Sequence, residues 1–157
     1  MKINRMDLDY YEYILTYNTE KEQNLVNKYL NRIRKSEHEF NNLIFEAYNS
    51  VSDVFNNFYD LQIIMYLYYM SYIIELYMNQ INFAKKEELD CILKSIKIDK
   101  RSEVVDLSRI LPPLISKYTE NVTKTINMRK LYDNESLNQI IKHIQNLVKT
   151  YAKKCLK

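Results

Sequence analysis

The chain contains no glycine in 157 residues, and this omission limits its backbone more than any residue it contains. Phosphate-cradling loops, dinucleotide fingerprints and the elbow that presents a catalytic serine all need a residue without Cβ. Conventional Rossmann, Walker and nucleophile-elbow sites are therefore excluded. Sheets also recruit glycine for hairpin turns and bulges, although asparagine and aspartate can replace it at some left-handed positions. Helices joined by polar corners are the simpler solution, and with two prolines in the whole chain the expected fold is an all-α compact bundle of five to seven helices. A chain of this length fits one domain over residues 1–157, burying roughly 70% of the surface of its extended form.

Apolar periodicity divides the chain into segments. In residues 6–17, Leu8, Tyr11, Ile14 and Leu15 have helical spacing, and Asp7 and Asp9 stand where negative charge complements the helix dipole. Thr19 and Glu22 have the spacing of a capping box. Val26, Tyr29, Ile33, Phe40, Ile44, Ala47, Val51 and Phe58 then fall on one narrow helical stripe. They predict one helix over residues 19–49 and another through the apolar region that follows.

That region, residues 61–81, carries a single charge, Glu75, and its apolar side chains cover nearly the whole helical circumference. It predicts a buried central helix around residues 58–81. Gln62, Ser71, Glu75, Asn79 and Gln80 interrupt the run, and tyrosines occupy its middle instead of only its ends, so membrane insertion is not expected. Ser71, Glu75 and Asn79 share a strip suited to water, a buried network or a partner. A surface helix is expected over residues 83–98, followed by a charged linker over 99–102. Pro112 and Pro113 predict a short helix ending before them and a new one restarting at Leu114. A last helix follows Asp133 and Asn134, with Leu137, Ile140, Ile141, Ile144, Val148, Tyr151 and Cys155 facing inward.

Functional signals are sparse. Twenty-three basic against 20 acidic residues give a net charge of +3, which weakly favours nucleic acid or an anionic surface. Arg32, Arg34, Lys35, Lys142, Lys149, Lys153, Lys154 and Lys157 are the candidate phosphate contacts, and no acidic residue follows Glu135. Lysines near a helix C-terminus also serve the helix dipole without any ligand. Cys91 and Cys155 do not outline a disulfide framework, and neither they nor His38 and His143 have metal-ligand spacing. No catalytic residue, cofactor or metal ligand is assigned. The opening residues lack the apolar core of a secretory signal, which gives an intracellular, cytoplasmic expectation with reduced thiols. On that expectation the glycosylation patterns at Asn121 and Asn134 go unused.

Arg32 and His38 resemble, in spacing, the Arg-to-His signature of the higher-eukaryote and prokaryote nucleotide-binding ribonucleases. The resemblance covers only the stretch from Arg32 to His38 and implies a helical domain that dimerises around paired Arg-His sites. The chain departs from it in carrying Ile33 where a polar residue commonly follows the arginine, and in placing the pair far from the final helix. A continuous helix would set the two side chains about 120 degrees apart. In size and helix richness the chain is also similar to the small Bcl-2-like regulators of poxviruses. The Asn-Trp-Gly-Arg motif of their cellular relatives is absent, so no groove or partner carries over.

Fifteen tyrosines are the more instructive feature. A buried tyrosine supplies apolar area and a hydroxyl that needs a partner, whereas an exposed one is a frequent interface anchor. Tyr10, Tyr13, Tyr66, Tyr68, Tyr69 and Tyr72 are the candidate interface residues. The reading adopted is a non-enzymatic helical interaction or regulatory protein, with a homodimer or another protein as partner. The bias toward Asn, Tyr, Ile and Lys resembles AT-rich genomes and large DNA viruses, which suggests a viral accessory role. The alternative is a nucleic-acid-binding protein with a basic helical surface, extending to ribonuclease activity.

Overall fold

A computed structural model describes residues 20–36, 38–51, 58–79, 86–96, 98, 100–128 and 134–155. Among these the chain is an all-α bundle of six helices: α1 Glu20–Ser36, α2 His38–Val51, α3 Phe58–Asn79, α4 Lys86–Ser95, α5 Arg101–Met128 and α6 Asn134–Cys155. The helix expected over residues 6–17 lies outside the described residues. The single helix expected over 19–49 corresponds to two helices, α1 and α2, and residue 37 lies outside the described residues.

The central position of α3 follows from its sequence. Leu61, Ile63, Ile64, Met65, Tyr66, Leu67, Tyr68, Tyr69 and Met70 are all buried, so the helix has no solvent side over this stretch. It packs against each of the other five helices, most extensively α5 and α6. The amphipathic helices supply the lining. All eight residues of the stripe from Val26 to Phe58 are buried, as are Leu89, Leu93 and Ile96 near α4, and Leu137, Ile144, Val148 and Ala152 on α6. At the end of α4 the Ile98 amide donates to the Leu93 carbonyl at 2.8 Å, closing the helix in a chain without glycine.

Tyrosine tailors this core. Phe40 of α2 meets the rings of Tyr66 and Tyr69 at centroid distances of 5.1 and 4.7 Å, and that of Tyr151 of α6 at 5.2 Å. Three helices thus converge on one aromatic cluster, and tilted ring pairs add about 0.5–1.5 kcal/mol each beyond their buried area. The hydroxyls reach across helix boundaries. Tyr66 donates to Asn41 Oδ1, Tyr29 of α1 donates to Glu103 Oε2 of α5, and Tyr118 of α5 donates to Asp60 Oδ1 of α3 at 2.9 Å. Gln145 of α6 donates to the Tyr68 hydroxyl at 3.1 Å. Each bond gives a buried phenol a polar partner, offsetting the cost of its burial, and ties the register of two helices.

The proline pair corrects one expectation. Rather than ending a helix, Pro112 and Pro113 lie inside α5, which continues to Met128. An interior proline costs about 3 kcal/mol through its missing N–H and its ring clash. Here Val104, Leu107, Ile110 and Leu111 before the pair, and Leu114, Ile115, Tyr118 and Val122 after it, are buried in one register. Each such side chain gains about 1.5–3 kcal/mol on burial. Keeping both halves aligned on α3 therefore outweighs the local penalty, and the two proline rings face solvent.

Tyr118→Phe is expected to destabilise the fold by about 1–2 kcal/mol, because it leaves the Asp60 carboxylate without that donor. In urea unfolding, Tyr118→Phe combined with Asp60→Ala should fall short of additivity by about 1 kcal/mol. Full additivity would mean that the bond does not tie α5 to α3.

Candidate functional site

The residues singled out from the sequence are distributed unevenly over the bundle. Of the tyrosines expected at an interface, Tyr66, Tyr68 and Tyr69 are only 0%, 7% and 1% exposed and belong to the core. Burial of α3 on all sides corrects their outward placement. Tyr72 is half-buried, and Tyr10 and Tyr13 lie outside the described residues. The phenol of Tyr72 is held above the ordinary tyrosine value by burial, then by Tyr68 and then by Glu75.

The basic candidates form two groups. Arg32 and Arg34 are half-buried and Lys35 is exposed near the end of α1, which packs on α3 and α5. Lys142, Lys149, Lys153 and Lys154 are exposed on α6, which packs on α3 and α2. Lys157 lies outside the described residues. His38 opens α2 and is exposed, as is His143. Tyr151 turns inward to Phe40 and Tyr69, so it is not placed to stack a base beside Lys142.

Three surface features remain. A groove of 370 Å³ between α1 and α5 is lined by Lys21, Lys28, Lys100, Glu103 and Asp106 among others. Its charges are partly internal, with Lys28 Nζ 3.9 Å from Glu103 and, in an adjoining pocket, Arg109 Nη2 3.0 Å from Glu22. At the α2–α3 corner, Phe45 is 53% exposed. Its ring stacks on Phe58 at 4.9 Å and 24°, and Tyr48 and Tyr59 meet Phe58 edge-on at 5.4 and 6.1 Å. Between α3 and α5, a cleft of 260 Å³ is lined by Ser71, Glu75 and Asn79, the polar strip read from the sequence, facing Ser108, Leu111 and Pro112.

Met78 also lines that cleft and is 47% exposed; Val105, at 46%, lies one turn before Ser108 on α5. Residue spacing alone does not single out Phe45, Met78 or Val105. The available signal was negative: Phe45 and Val105 each follow a stripe residue, Ile44 or Val104, by one position, which turns them about 100 degrees away from the core.

Among the described residues, no three His, Cys, Asp or Glu side chains are grouped to hold a metal ion, and no helix is long and apolar enough to cross a membrane. Asn121 is buried within α5, which removes it as an accessible glycosylation acceptor. Comparison with known protein families, with curated proteins and with solved structures finds no match to the chain.

The raised pKa of Tyr72 makes a signed prediction. A phenol that holds its proton more tightly in the folded state contributes stability below its unfolded pKa and loses it as pH rises through the folded value. The difference in urea midpoint between the wild type and Tyr72→Phe should be flat through neutral pH and shift against the wild type above about pH 10. A pH-independent difference would contradict the assignment.

Proposed function

We propose that the chain is a non-enzymatic helical interaction or regulatory protein. The observation that carries this reading is the Phe45 corner. A large ring is presented to water while its inner face is already fixed against Phe58. Docking onto such a ring hides apolar area with little loss of side-chain freedom, which is the property of an interface anchor. A second copy of the chain or a different protein could supply the covering surface. The Asn, Tyr, Ile and Lys bias supports an accessory role of the kind encoded by large DNA viruses.

Native capture and light scattering test the reading together. Phe45→Ser is expected to lower partner capture or self-association about tenfold, while losing only about 1 kcal/mol of stability from the ring stack. A wild-type protein that stays monomeric and captures no reproducible partner removes the proposal. An association unaffected by Phe45→Ser removes the anchor.

One observation favours nucleic-acid binding as a second reading. Lys142, Lys149 and Lys153 are exposed on α6 and fall within about 40 degrees of one another on the helix. Phosphate contacts from this stripe would be salt-sensitive and weakly sequence-specific. With mixed RNA and DNA, replacing all three lysines by alanine should reduce the slope of log affinity against log salt by about 2–3. Absence of binding by the wild type at about 50 mM salt excludes this reading.

A further inference from the structure

The cleft between α3 and α5 joins two features that are unrelated in the sequence. Glu75 lies along its α3 wall with Ser71 and Asn79, and Ser108 and Pro112 of α5 stand opposite. Ser108 and Pro112 have the i, i+4 relation that an ordinary helix closes with a hydrogen bond. Proline has no N–H to donate, so the Ser108 carbonyl lacks its usual i+4 donor at a residue that lines the cleft. The wall therefore combines a carboxylate, a side-chain amide and two hydroxyls, beside a main-chain carbonyl without its i+4 donor. No basic side chain lines it among the described residues, and Glu75 itself is exposed.

Apolar surface continues from this acceptor cluster. Ile74 and Leu111 line the cleft, Met78 is exposed beside them, and exposed Val105 lies one turn away on α5. A free small cation would leave Met78 and Val105 in water, whereas a peptide could cover them while inserting a charged side chain. Guanidinium presents five donors in a planar fork suited to a carboxylate and a nearby carbonyl, while its methylene stem packs on apolar walls. Lysine offers a compact charge with no such fork.

We infer that this cleft receives an arginine side chain from a polypeptide partner, with Glu75 and the Ser108 carbonyl as acceptors and Met78 and Val105 contacting the flanking residues. The inference rests on the interaction reading but uses a surface separate from the Phe45 corner.

The test is an amide-resolved NMR titration of the full chain with a capped five-residue peptide carrying a central arginine between leucines. Matched peptides carry citrulline or lysine at the centre, and arginine amide serves as the small-cation probe. The arginine peptide is expected to shift amides in residues 71–79 and 105–111, with about tenfold weaker binding after Glu75→Gln or with central citrulline. Lysine and arginine amide should both bind more weakly than the arginine peptide. Pro112→Ala, which returns a donor to the Ser108 carbonyl, should weaken peptide binding without lowering the thermal midpoint.

Absence of shifts at ~1 mM peptide, equal binding by Glu75→Gln, or equal binding of the citrulline peptide would overturn the inference. Arginine amide binding as tightly as the peptide would overturn its polypeptide part. Captured partners that bind Glu75→Gln undiminished would reject the cleft while leaving the interaction reading intact. Specific arginine-peptide binding without any captured partner or self-association would reject the wider reading instead.

Discussion

A helix that is apolar around its circumference must be screened from water on every side, and α3 has that character from Leu61 to Met70. The remaining helices can expose one face along their length; over this stretch α3 cannot. Its burial therefore organises the bundle, with the other five described helices packed against it. Hydrophobic burial alone leaves the register of such packing loose, since apolar contacts are non-directional. The tyrosines of α1, α3 and α5 supply direction, because each hydroxyl is bonded to a particular polar side chain on a neighbouring helix.

The same screening explains the course of α5. Pro112 and Pro113 weaken its local hydrogen bonding, yet buried residues on both sides of the pair keep one face aligned with α3. Pro112 also removes the usual i+4 donor of Ser108, a residue that lines the cleft opposite Glu75.

The fold was legible wherever periodicity was long. The stripe from Val26 to Phe58, the nearly uniform apolar character around Ile64 and the face from Leu137 to Val148 each identify buried surface through residue spacing. The behaviour of Pro112 was not legible, because the local penalty is written in the sequence whereas the compensating contact with α3 depends on tertiary packing. The site was legible only in part. Ser71, Glu75 and Asn79 formed a recognisable strip, but their meeting with Ser108 required the antiparallel approach of α3 and α5, whose other end is marked by Asp60 and Tyr118. Tyrosine content alone could not separate Tyr66, enclosed on α3, from a ring available to a partner.

The central placement of α3 also bears on synthesis. Its principal neighbours are encoded after it, and α6 ends about 75 residues beyond Asn79. At typical ribosomal speeds, α3 precedes the completion of that covering by roughly 4–15 seconds. During this interval its apolar circumference has yet to acquire the full native enclosure, making the nascent chain most vulnerable to misassociation before α6 is made.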